Sequence, residues 1–187
     1  FCGPIGFALN PQASYMVAVA AQVPLVCAIS IQASLASSQL VKEAQAARGL
    51  TRWRLLHLLS LSIVSATLLG FAAEQMTPPT GVMLNGFGEL GAIGMVRNLL
   101  ALLGCALLSA AFVGPAFGWV APLTWAILPY LAFPTRFEDP TGILMILMQP
   151  DDAFVPMAVA IGLWSSGLVV GARDWHLGRR ATREPEG

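Results

Sequence analysis

His57 and His176 are the only imidazoles in the chain and lie far apart, so no His-Glu-x-x-His pair presents two ring nitrogens to zinc from one helical face. Ser60 follows His57 by three residues, one helical turn, the spacing a nucleophile and its base could use. No third group orients such a pair, and at the start of an apolar run His57 is expected to hydrogen-bond at the membrane boundary. Cys2, Cys27 and Cys105 are isolated in apolar surroundings, which suits small core residues better than a redox or metal pair. Gly86-Phe87-Gly88-Glu89-Leu90-Gly91 satisfies G-x-G-x-x-G, whose glycines let a pyrophosphate approach a helix N-terminus after a strand. The surrounding sequence offers no strand, so the run reads as a flexible lead into the apolar stretch that follows it. Glu89 and Arg97, eight residues apart, could pair across two helical turns as an anchor at a membrane boundary. A phosphate loop needs a lysine after its glycines, and the single lysine, Lys42, lacks that pattern. No catalytic, cofactor or metal residue is therefore assigned, and any ATP and Mg must bind to another chain.

The elements that would position these residues are set by composition. The 187 residues are 56% hydrophobic and 11% charged, against roughly 45–50% and about 25% in soluble domains. Ten basic and ten acidic residues cancel, which removes any net-charge case for nucleic acid. Asp, Glu, Lys and Arg are absent from Phe1 to Val41 and again from Asn98 to Thr135. Such runs exceed the ~20 residues that cross a lipid core as a helix. The sequence predicts an all-α, polytopic transmembrane bundle with spans at about 14–37, 55–73, 95–113, 117–133 and 153–172. Pro24 is tolerated within the first as a kink, Gly114-Pro115 turns the chain between the third and fourth, and Pro122 and Pro129 favour a bend in the fourth. The apolar island 143–148, flanked by Arg136, Glu138, Asp139, Asp151 and Asp152, is too short to cross. It is expected as a re-entrant or interfacial segment packed on protein. Residues 173–187 form a polar tail.

Five spans put the 39–54 loop and the tail on one side, and together they hold eight of the ten basic residues. The positive-inside rule makes that side cytoplasmic, in a bacterial cell membrane, with a cytoplasmic C-terminus. An upstream helix, if one is missing, would bring the count to six. No carboxylate or lysine falls inside the spans, which argues against a proton-coupled pump relying on this chain alone. Their polar exceptions, Gln22 and Gln32, are expected to make hydrogen bonds within the bundle. Gly162, Gly167 and Gly171, with Ser165 and Ser166, give the fifth span a small-residue side that a second helix can approach closely.

The loop from Gln39 to Arg54 is the most informative segment. Its alanine-rich first half favours a short helix, Gly49 lets the chain turn, and Arg52-Trp53-Arg54 anchors the next span among headgroups. A basic connector would look similar, but a docking helix that transmits motion from a soluble partner fits Lys42, Glu43, Arg48, Gly49, Arg52, Trp53 and Arg54 together. Glu43-Ala44-Gln45-Ala46-Ala47-Arg48-Gly49 resembles the E-A-A-x-x-x-G coupling loop of ATP-binding-cassette permeases. It departs at Gln45, and the later proline of importers is replaced by Ser62. The layout is similar to the exporter-type (type 2) permeases of that superfamily, in small forms typical of actinobacteria. These have six spans, a coupling helix between the second and third, and an external re-entrant region before the last.

The resemblance implies a permease subunit of an ATP-driven exporter, itself no enzyme. It implies three partners: a nucleotide-binding ATPase subunit, a second permease half, and the lipid bilayer. The alternative is a non-transporting membrane scaffold or assembly subunit, which predicts no ATP-dependent flux and tolerance of changes in the 39–54 loop.

Overall fold

The computed structural model describes residues 11–35, 50–76, 91–132, 147 and 154–181, with side chains described at 22–35, 53–75, 91–128, 147 and 154–171. The described residues are helical: α1 Pro11–Leu35, α2 Leu50–Met76, α3 Ala92–Val113, a 3₁₀ turn Pro115–Phe117, α4 Val120–Ala132 and α5 Phe154–Ala181. Among them, α2, α3 and α5 each contain a stretch long and apolar enough to cross a membrane, Trp53–Gln75, Ala92–Val113 and Phe154–Gly171. Gln22–Leu35 and Pro115–Leu128 are apolar but shorter. The chain is a helical membrane protein.

Helix boundaries follow local chemistry. α3 begins after an extended Gly91 and ends at Gly114, whose φ of 112° is the left-handed region that a side chain would strain. The Gly114 N–H closes the last turn on the Ala110 carbonyl at 3.1 Å, and Pro115 cannot prolong the ladder. α2 starts at Leu50, so Arg52 to Arg54 lie on its first turns. It stops at Met76, just before Thr77-Pro78-Pro79. α4 starts at Val120, three residues later than the sequence suggested, because Gly118 and Trp119 are spent in a turn. Its 13 described residues cover about 20 Å at 1.5 Å per residue. α5 continues to Ala181, past the expected boundary at 172. Nothing between Ala172 and Ala181 breaks a helix apart from Gly178, a weak breaker.

α3 is the post around which the others stand. Of its spanning stretch 56% is buried, against 17% for those of α2 and α5, the pattern of a helix apolar on every side. Leu99, Ala101, Leu102, Leu103 and Ala106 are fully enclosed. Its most extensive partner is α5, then α1, then α2. The outer helices show lipid-compatible faces to their surroundings: Ile63, Val64, Leu68 and Phe71 on α2, and Phe154, Val155, Ile161 and Val169 on α5.

Contacts along α3 fix the direction of each neighbour. A methyl group built on Gly70 of α2 would touch Ala92 and Val96, so the end of α2 meets the start of α3 and the two run antiparallel. Gly104 meets Leu163 and Trp164, while Gly167 meets Gly104 and Leu107, so α5 runs parallel to α3. Gln32, near the end of α1, bonds to Pro115 just past the end of α3, so α1 is parallel as well. The end of α1, the start of α2, the turn 114–119 and the end of α5 consequently share one end of the bundle. The end of α2, the start of α3 and the start of α5 share the other.

Candidate functional site

Of the residues singled out around the 39–54 loop, Lys42, Glu43, Arg48 and Gly49 lie outside the described residues, as does the tail from 182. The helix ends that bracket them, Leu35 and Leu50, are both at the first of the two ends. Arg52, Trp53 and Arg54 occupy the first turns of α2 there. Trp53 is 72% exposed and Arg54 half-buried. Arg173, Arg179 and Arg180 lie on the last turns of α5, at the same end. The shared end therefore carries a basic border drawn from two helices that are distant in sequence.

At that end the turn between α3 and α4 is held by side chains of α1, of α3 and of the turn itself. Gln32 Nε2 donates to the Pro115 carbonyl at 3.0 Å and Ser109 Oγ to the Phe117 carbonyl at 3.0 Å. Trp119 Nε1 donates to the Ala116 carbonyl at 3.0 Å, and the Phe117 N–H to that of Gly114 at 3.0 Å. Gln32 is buried, and Gly118 lies so close to its amide that an added methyl would sit 2.5 Å from the amide carbon. Gln32 thus makes the bundle hydrogen bond anticipated for it. Gln22 is exposed.

Near the other end, Arg97 and Asn98 are completely enclosed. Asn98 Nδ2 donates to the carbonyl of Leu147 at 2.8 Å, and Leu147, 2% exposed, belongs to the apolar core. The island 143–148 therefore touches α3 at the one position described. Arg97 is buried within α3, where the sequence pointed to a boundary anchor; Glu89, its suggested partner, is outside the described residues. Burial of a guanidinium in this bundle could not be anticipated, because hydropathy averaged along a helix hides one charge among leucines.

The small residues of α5 behave unequally. The Gly167 position has Gly104 O and Leu107 Cβ at 3.0 Å from an added methyl, whereas Gly162 and Gly171 have nothing within 4 Å. The tightest approach is Gly104, where the same methyl would stand 2.5 Å from the Leu163 carbonyl carbon and 2.6 Å from the Trp164 nitrogen. Sequence reasoning missed Gly104, which has leucines, Leu100 and Leu108, four residues away on either side and so forms no small-x-x-x-small pair.

Among the described residues the hydroxyls offer no reactive group. Ser60 Oγ donates to the His57 backbone carbonyl at 2.9 Å, one turn back, and so is committed away from the ring. Ser62, Thr67 and Thr124 likewise return their protons to carbonyls four residues earlier, which is how hydroxyls satisfy themselves on helices that lack water. Among the described residues no three His, Cys, Asp or Glu side chains gather as a metal site would require.

The class of molecule this architecture defines is an all-helical membrane protein with a buried central helix and a basic end. Comparison with protein-family profiles, characterised proteins and solved structures finds no match to the chain.

Proposed function

We propose that the chain is a transmembrane permease subunit of an ATP-driven transporter, working outward, in a polytopic bundle of five or six spans. In this reading the 39–54 loop faces the cytoplasm and docks a separate ATPase, with Glu43, Arg48 and Gly49 at the contact and Arg52, Trp53 and Arg54 anchoring the span behind it. A second permease half, the same chain or another, completes the pathway. The observation that supports the reading is the common end shared by the end of α1, the start of α2 and the end of α5. It brings the helix ends that bracket the motif at 43–49 to the basic border of Arg52, Arg54 and the arginines of α5. ATP bound on the partner would do work by stabilising one arrangement of the spans over another, and the loop is the route by which that preference reaches them.

The test is purification of the full chain from its own membrane, followed by transport and ATP hydrolysis in proteoliposomes. The expected result is stoichiometric recovery of a phosphate-loop ATPase whose hydrolysis becomes uncoupled from flux in the Glu43→Arg variant. Recovery without such a subunit, together with unchanged function of the variant, overturns the proposal and leaves the scaffold reading in its place.

A further inference from the structure

The turn joining α3 to α4 is built unlike a loop that faces water. The segment 112–121, Phe-Val-Gly-Pro-Ala-Phe-Gly-Trp-Val-Ala, has no charged or amide side chain and lies within the uncharged run from Asn98 to Thr135. Its apolar side chains nevertheless point outward: Phe112 is 78% exposed, with Val113, Phe117 and Trp119 also exposed. Four successive carbonyls, Gly114 to Phe117, each accept a hydrogen bond from inside the chain, three of them from the side chains of Gln32, Trp119 and Ser109. In water such carbonyls need no dedicated donors, since solvent supplies them. Where water is scarce, an unsatisfied carbonyl costs several kcal/mol and protein donors become necessary.

The depth of the turn follows from helix register. Gly70 of α2 faces Ala92 and Val96 of α3. Trp53 lies 17 residues from that level and Val113 lies 17 from Val96 and 21 from Ala92, about 25 Å and about 25–32 Å at 1.5 Å per residue. The turn is therefore within about two helical turns' rise of Trp53 and its flanking arginines, the residue types that settle where headgroups meet acyl chains. A protein partner at this site would also cover apolar groups. It would not call for sealing of the carbonyls by Gln32 of α1, Ser109 of α3 and the turn's own Trp119, because a partner's own polar groups could meet them.

We propose that the α3–α4 turn is a lipid-immersed corner, with Gln32, Ser109 and Trp119 sealing its carbonyls while Phe112, Val113, Phe117 and Trp119 rest in acyl chains at the headgroup boundary. The proposal is independent of the permease reading.

Ala116 is exposed at the tip, so a label there disturbs no packing. The experiment uses the full chain in phosphatidylcholine vesicles, with Cys2, Cys27 and Cys105 replaced by alanine and the substitution Ala116→Cys introduced. A charged maleimide supplied on both sides of the bilayer is expected to react an order of magnitude more slowly than it does with the same variant in dodecyl sulfate. A nitrobenzoxadiazole probe attached at that position before reconstitution is expected to be strongly quenched by lipids carrying a nitroxide on the upper acyl chain. Rapid labelling in intact vesicles overturns the proposal by showing a turn in water. Protection from maleimide without nitroxide quenching also overturns it, because protein then covers the corner.

Discussion

Replacing Gly104 with alanine adds one methyl group where α3 and α5 touch backbone to backbone. That methyl would lie 2.5 Å from the carbonyl carbon of Leu163, 2.6 Å from the nitrogen of Trp164 and 2.7 Å from the Leu163 oxygen. Ordinary contact begins near 3.5 Å, so the helices must part by about 1 Å, and no side-chain rotation can relieve a clash with backbone. The separation spreads along the largest interface in the fold, and the expected cost is about 2–3 kcal/mol, the upper part of the range for overpacking. Gly167→Ala is the internal comparison. Its methyl meets Gly104 O and Leu107 Cβ at 3.0 Å, a misfit of a few tenths of an ångström that should cost about 1 kcal/mol. Gly162→Ala and Gly171→Ala meet nothing within 4 Å and should be neutral or slightly stabilising through helix propensity. The assay is reversible unfolding of the reconstituted chain by dodecyl sulfate in mixed micelles, followed by circular dichroism. If Gly104→Ala is tolerated as well as Gly162→Ala, the argument that α3 and α5 meet through bare backbone is refuted.

Asn98→Leu keeps the branched heavy-atom skeleton, with methyls bulkier than the amide, but removes the donor to the Leu147 carbonyl, and the buried oxygen left behind should cost about 1–3 kcal/mol in the same unfolding assay, with any overpacking added to it. Gln32→Leu should lose a similar amount through the Pro115 carbonyl. Gly118→Ala pushes the Gln32 amide off that carbonyl, so the double variant should fall well short of the sum of the two losses, and a double-mutant cycle measures the shortfall. Ser60→Ala removes only a bond to a carbonyl one turn back on an exposed face and should change stability by less than about 0.5 kcal/mol. A large loss there would mean that Ser60 has a partner beyond its own helix.

How much of this could be read from sequence depends on the scale of the question. Two long uncharged runs announce apolar helices, and α3 falls within three residues of its expected start because a glycine-proline pair fixes its end. The outline of α2 is legible for the same reason, with Pro78 and Pro79 as the stop. What one-dimensional hydropathy lacks is the identity of the neighbour. Gly167 and Gly171 look equivalent in sequence, yet a methyl at Gly167 meets α3 whereas one at Gly171 meets nothing within 4 Å. Gly104 and Arg97 were hidden for related reasons. Leucines around the glycine mask its exposed backbone, and the sequence does not say that an arginine less than two turns inside a helix will be covered on all sides. The proposed contact at Glu43 to Gly49 rests on residue pattern alone, whereas the shared basic end that supports it is legible from the span count and the placement of the arginines.

The pairing of α3 with α5 also has a bearing on biogenesis. Gly104 and Gly167 are far apart in the chain, with α4 and the island at 143–148 between them. During synthesis the central helix enters the bilayer well before α5 leaves the ribosome, so its deepest groove is first lined by lipid tails that must later be expelled. Docking of α5 on α3 is thus a long-range closure that can only follow insertion of α3. A nascent chain arrested after α4 should display the bare backbone of Gly104 to the membrane, a mark by which proteolytic surveillance could tell unfinished copies from mature ones.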